Sequence, residues 1–251
     1  MQNSALVPNL AGLILVIFSI ILLLGLFLLK DRVKASFRVI PAFRKFDQAI
    51  GTAVEDGTGI HFSLGSSGIT NPRTATSFAA LSLMRHAAEF SAASDQAPIA
   101  TSGDATLTIL SQDNLRTAHY YAGVEQRYKA NSGRLAGVTP FSYAAGVLSP
   151  IYDENISANV LVGGFGVEAG LLSDAAGRKQ SFTLAATDSI PAQAVLYASA
   201  NEPLIGEELY ASGAYLETGR THLVSLYVQD VLRWLIVAAL IGGAAMKLAG
   251  L

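Results

Sequence analysis

Residues 158–200 read ANVLVGGFGVEAGLLSDAAGRKQSFTLAATDSIPAQAVLYASA. ANVLV is a short apolar strand, GGFG a glycine loop, VEAGLLSDAAGRK a helix, FTLAA a second strand, TDS a cap and IPAQAVLYASA a second helix. Two strands joined through a helix make the unit of a parallel sheet, because parallel strands need a long crossover that a helix supplies.

The same grammar holds upstream. PAFRKFDQAIGTAVEDG (41–57) is an amphipathic helix, IHFSL (60–64) a strand and GSSG (65–68) a glycine loop. Asn71 and Pro72 then read as the cap and first position of a helix running to about Phe90. PIATS (98–102) is a strand ending at Gly103 and Asp104, and a helix follows over 105–122. Between the halves, YAAGVL (143–148) reads as a further strand. The expected fold class is therefore α/β, a Rossmann-like, mainly parallel sheet covered on both faces. The stretch 99–118 parallels 184–200, each a strand running into a turn with Asp and then a helix. Internal duplication is one reading. Convergence is the other, since Ser, Thr and Asp cap helices at any strand-to-helix junction. No low-complexity linker interrupts residues 40–222, which read as one cytoplasmic domain.

The two ends differ from this middle. Residues 10–29, LAGLILVIFSIILLLGLFLL, carry no charge and are long enough to cross a bilayer as a helix. Residues 1–9 before them are uncharged, while the segment 30–39 after them carries Lys30, Arg32, Lys34 and Arg38. That asymmetry puts the amino terminus outside and the central domain in the cytoplasm, beneath the inner (plasma) membrane. The C-terminal helix, 223–251, holds the shorter apolar run WLIVAALIGGAAMKLAGL from Trp234. It reads as a second span returning the chain outward, with a buried amphipathic helix as the competing reading. Ala238, Gly242, Ala245 and Ala249, with Ala239 and Gly243, form a face on which helix backbones approach closely. Gly12, Ser19 and Gly25 of the first helix, or a neighbouring subunit, are the partners this face implies.

Composition agrees with lipid contact: the 251 residues are 51% hydrophobic and 14% charged, against about 25% charged in soluble domains. A net charge of −2 argues against nucleic acid, whose binding needs a clustered basic face. With no cysteine, disulfides, thiolate metal sites and cysteine nucleophiles are excluded.

Candidate chemistry is sparse. Gly164, Gly166 and Gly170 open a helix after a strand, with Asp188 at the next strand end, a pattern like a dinucleotide-binding turn. The spacing, however, is GxGxxxG and not GxGxxG. Gly65 and Gly68 offer a second anion-binding nest, without a Walker lysine. Asp104 and Asp188 stand at equivalent junctions and are expected near each other at the carboxyl edge of the sheet, as ligand contacts or as helix caps. His61, His86, His119 and His222 are isolated in sequence, and no HExxH or GxSxG motif occurs. No metal site and no resident cofactor is expected. Glu55 with Asp56, Asp153 with Glu154, and Glu207 with Glu208 are acidic pairs that serve as ligand pairs or as solvated turns.

The segments VEDGTGIHFSLG, ATSGD, TPFSYAAG, AQAVLYA, PLIGEELYASGAYL and QDVLRW together resemble an uncharacterised bacterial membrane family, a domain of unknown function, over most of residues 40–234. The resemblance implies a bacterial membrane protein and supplies no catalytic residues. Two functions are expected from these readings: a non-enzymatic, homo-oligomeric membrane scaffold or assembly protein, or a membrane-tethered sensor or enzyme that binds a nucleotide or other anion at the glycine turns.

Overall fold

The computed structural model of the chain describes residues 3–28, 38–69, 74–216 and 220–248. The chain divides into two compact units, Val39–Leu216 and the paired ends Met1–Arg38 with Glu217–Leu251.

The first unit is built on a wholly parallel six-stranded sheet: β1 (Gly59–Gly65), β2 (Ile99–Ser102), β3 (Gly133–Leu135), β4 (Ile156–Gly164), β5 (Phe182–Ala186) and β6 (Glu202–Leu204). Their order is β3-β2-β1-β4-β5-β6. The chain starts in the middle, winds outward to β3, returns to lay β4 beside β1, and winds outward the other way. In open α/β sheets, ligands commonly lie at the carboxyl ends of the strands where winding reverses, here β1 and β4.

Alternation along β1 and β4 sorts the two faces. Ile60, Phe62, Leu64, Val160 and Val162, with Leu184 of β5, pack under α2 (Pro41–Glu55), α3 (Thr74–Ser91) and α4 (Ala105–Tyr121), where Phe46, Met84 and Leu107 are buried. Amphipathic α2 buries Ala42, Phe43, Phe46, Ile50 and Ala53 and leaves its other side to solvent. Leu161 and Ala185 face α5 (Pro140–Asp153), α6 (Ala169–Arg178) and α7 (Ile190–Ser199) through Val147, Leu172 and Leu196. Coverage on both sides explains why every residue of β1 is buried. A last helix, α8 (Glu208–Tyr215), buries Leu209 in the first of these clusters.

Two sequence expectations change, and two strands stand where none was expected. YAAGVL is helical, inside α5, because TPFS ahead of it is a helix start. Thr139 Oγ1 accepts from Ser142 N at 3.3 Å, Ser142 Oγ accepts from Thr139 N at 3.0 Å, and Pro140 occupies the first turn. β3 and β6, three residues each, are too short to show a period of two. Glu208 begins α8, its Oε2 accepting from Ile205 N at 3.1 Å, while Glu207 stays in the exposed turn ahead of the helix. The proposed cap at Asn71 and Pro72 lies outside the described residues, as do Lys30, Arg32 and Lys34.

In the second unit, α1 (Asn3–Leu28) and α9 (Arg220–Leu248) pack against each other. The stretch Val224–Leu248 of α9 is, by length and composition, apolar enough to cross a membrane, with a mean hydropathy of 1.8. Among the described residues, the apolar stretch of α1 is Gly12–Leu28, 17 residues, and Leu29 of the expected span lies outside them. Helix α9 is thus, among the described residues, the one helix long and apolar enough to cross a membrane. Arg233, one residue before the run read from Trp234, is paired with Asp230 at 3.3 Å on the same helix, and the apolar stretch extends a further ten residues upstream of Trp234, to Val224.

The expected contact between small-residue faces is absent among the described residues. α1 half-buries Ser19, Leu22 and Leu26, while Ala238, Gly242 and Ala245 of α9 are exposed. A Cβ added at Gly12, Gly25, Gly242 or Gly243 would meet nothing within 4 Å.

Candidate functional site

The loops leaving β1 and β4 are laced together. Ser66 N and Ser67 N both donate to Gly164 O, at 3.1 and 3.2 Å. Gly65 holds φ +89°, and a Cβ there would stand 2.7 Å from Gly164 N and O. Beyond Gly164 the chain turns so that Glu168, only 3% exposed, folds back over its own loop. Its Oε1 accepts from Gly166 N at 2.8 Å and from Ser66 Oγ at 3.1 Å. The amide that a dinucleotide-binding turn would present to a phosphate is therefore already bonded to a carboxylate of the chain.

The remaining sequence candidates have local tasks as well. Asp104 caps α4, its Oδ1 accepting from Leu107 N at 2.9 Å, and its Oδ2 lies against Gly68 where a Cβ would stand. Gly170 lets α6 approach α7, since a Cβ would meet Val195 Cγ1 at 2.7 Å. Asp188 is level with Asp104 across the register from Thr101 through Ser63 and Leu161 to Ala185. Three strand spacings separate them, about 14 Å, so they flank the β1–β4 junction and do not form a pair. Gly65, Gly68, Asp104, Gly164 and Gly166 do converge at that junction. The described edge loops, 65–69, 103–104, 136–139, 165–168, 187–189 and 205–207, contain four acids, Asp104, Glu168, Asp188 and Glu207, and neither Lys nor Arg.

Directly beneath lies a polar network that sequence reading did not find. His61 of β1 is fully buried between Thr101 of β2 and Asn159 of β4. Asn159 Nδ2 donates to Ser181 Oγ at 2.9 Å, and Ser181 Oγ donates to Ala176 O at 3.0 Å. This orientation leaves Asn159 Oδ1 to accept from His61 Nδ1 at 3.0 Å, so His61 Nε2 accepts from Thr101 Oγ1 at 2.9 Å. One neutral tautomer satisfies every group. Burial is the main reason the imidazole is pushed down to about 4. The nearby charge of Arg134 adds to that, and the bond to Asn159 opposes it.

One step nearer the edge, Tyr143 of α5 inserts its phenol below the β1 turn. With its proton directed at Thr101 O, 3.3 Å away, the phenol oxygen accepts from Gly65 N at 3.1 Å and from Ser63 Oγ at 2.6 Å. Burial pushes this phenol up to about 12, against the bonds to Ser63, Thr101 and Gly65, and it remains neutral. Tyr143→Phe leaves the Gly65 amide and the Ser63 hydroxyl buried without this partner, a loss expected to be about 1–3 kcal/mol. Pulse proteolysis of the full chain in mild detergent measures it, and an unchanged unfolding midpoint would show the phenol contacts to be dispensable.

The only trace of this network in the sequence is the alternation of Ile60, Phe62 and Leu64 with His61 and Ser63, which places two polar groups on a buried face. Among the described residues, no three His, Asp or Glu side chains are grouped to hold a metal ion. No curated protein and no solved structure matches the chain. A family model does match, over residues 4–251, and the chain belongs to that family, described as a domain of unknown function (DUF6754).

Proposed function

We propose that this chain is a non-enzymatic, membrane-anchored assembly protein that pairs with a second copy through α9, with a Rossmann-like α/β unit as its cytoplasmic platform. The observation that carries this reading is the state of α9. From Arg233 to Leu248 every residue is exposed, and Gly242 and Gly243 face open space. Apolar surface of that extent needs lipid or protein to cover it, and small residues spaced three and four apart let a partner helix come close. The basic stretch after α1 supports a cytoplasmic position for the platform, and the strand order supports a Rossmann-like winding of two similar halves.

The nucleotide-binding alternative has less behind it. The Gly166 amide is occupied by Glu168, and Gly65, Gly68 and Gly170 each have a packing reason within the chain.

Because the protein has no cysteine, single cysteines report proximity cleanly. In native membranes, Ala238→Cys, Gly242→Cys and Ala245→Cys are expected to give disulfide-linked dimers, and Ile236→Cys and Leu240→Cys, on the opposite side of the helix, to stay monomeric. Crosslinking that is absent, or equal at all five positions, would sink the proposal.

A further inference from the structure

The outer sides of α2 and α3 enclose a groove of about 380 Å³ lined by Asp47, Ile50, Gly51, Val54, Glu55, His86 and Phe90, within the size range of small-molecule sites. Its two carboxylates stand on one face of α2, eight residues apart, or about 12 Å along the helix. Between them the floor is apolar. Gly51, with nothing within 4 Å of a Cβ position, keeps the middle open. His86 donates from Nε2 to Asp47 Oδ1 at 3.1 Å, and its ring meets Phe90 edge-on at 5.0 Å. Asp47 Oδ2 and the whole Glu55 carboxylate carry no bond among the described residues. Of the cations near it, Arg85 is paired with Glu89 at 2.9 Å, and Arg44 stands three residues before Asp47 on α2, outside the groove lining. The groove therefore offers negative charge at both ends, hydrocarbon between, and an exposed aromatic ring on the wall. Asp56, which the sequence coupled to Glu55, is only the residue that closes the end of α2.

We propose that this groove binds a linear aliphatic polyamine. One terminal ammonium sits against Asp47 and the other against Glu55, the methylene segments lie along Ile50 and Val54, and an internal ammonium faces solvent beside the Phe90 ring. Charge complementarity and spacing select the class: a single cation leaves one carboxylate unmatched, and a short diamine cannot reach both. Methylene groups laid on apolar surface add affinity that inorganic cations lack, and Phe90 offers its ring to a cation.

The test is isothermal titration of spermidine into the full chain held in zwitterionic nanodiscs, at constant ionic strength. Asp47→Asn and Glu55→Gln are each expected to weaken spermidine binding about fivefold, the upper end for an exposed ion pair. Putrescine is expected to bind the native chain more weakly by a similar factor, and Glu89→Gln to leave spermidine binding unchanged. Four outcomes overturn the proposal. Spermidine gives no saturable heat; Glu89→Gln weakens it as much as the groove variants, which marks diffuse attraction; octylamine matches it, which assigns an apolar, singly charged occupant; or both groove variants bind it like the native chain. The variants alter exposed side chains, and circular dichroism of each variant serves as the check on its fold.

Discussion

Lowering the pH from 7 to 4 is expected to cost the α/β unit roughly 3 kcal/mol through His61 alone. The folded imidazole sits at about 4, against 6.5 when exposed. Between these values the unfolded chain binds a proton that the folded chain refuses, so acid favours unfolding. The stability that the neutral ring provides is complete above pH 6.5 and is lost as pH falls toward 4. Geometry explains the refusal. Protonation would put hydrogens on both ring nitrogens at a site that no water reaches, forcing the Thr101 hydroxyl to turn away from Nε2. Urea unfolding of the native chain and of His61→Leu at pH 7, 5.5 and 4 isolates the effect. The variant is expected to begin less stable, because Asn159 Oδ1 and the Thr101 hydroxyl lose their partner. Its gap to the native chain is then expected to narrow as pH falls, while carboxylate effects common to both cancel. A constant gap would show that His61 is not held neutral by burial.

Gly65→Ala is expected to cost about 3 kcal/mol or more. The residue sits at φ +89°, where an L side chain is strained, and its Cβ would stand 2.7 Å from backbone atoms of Gly164. Neither strand can give way. β1 and β4 are the two central strands, and the Gly65 amide also holds the Tyr143 phenol. Separation there would break the Ser66 and Ser67 bonds to Gly164 O as well. Gly177→Ala is the internal control: it lies inside α6 with open space around it, and is expected to stabilise by about 0.5–1 kcal/mol through helix propensity. Thermal unfolding of both variants in the same detergent tests the pair. Equal effects would mean that the close approach of the two loops is not needed for stability.

Much of the α/β unit could be read from local pattern. β1, β4 and β5 are runs buried on both faces, and amphipathic α2 has its period on the surface. The helix start at Asp104 stands where an Asp cap predicts it, whereas α7 starts after Ser189 and not Asp188, with no side-chain capping bond from that serine. Local pattern failed where the signal was shorter than a period, as in β3 and β6, or where capping outweighed propensity, as at Thr139 and Ser142 ahead of YAAGVL. Of the site, the glycines and Asp104 were legible as turn and cap residues. Glu168 was not, because its role depends on a chain reversal that brings its carboxylate back to the Gly166 amide.

What the sequence determined by itself was the alternation of strand and helix, hence a parallel sheet, and two apolar ends whose composition suits lipid better than water. Those are properties of consecutive residues, and hydrophobic periodicity records them directly. Only the tertiary structure decided the strand order, the assignment of Gly65, Gly68 and Gly170 to close contacts, and the meeting of His61, Thr101, Asn159 and Ser181 in one network. These residues are far apart in the chain and share no motif. Their bonds exist because parallel pairing brings three strands into register and burial forbids any of their polar groups to remain unmatched. The same holds for Asp47, Glu55 and His86, whose common groove arises from the packing of α2 beside α3.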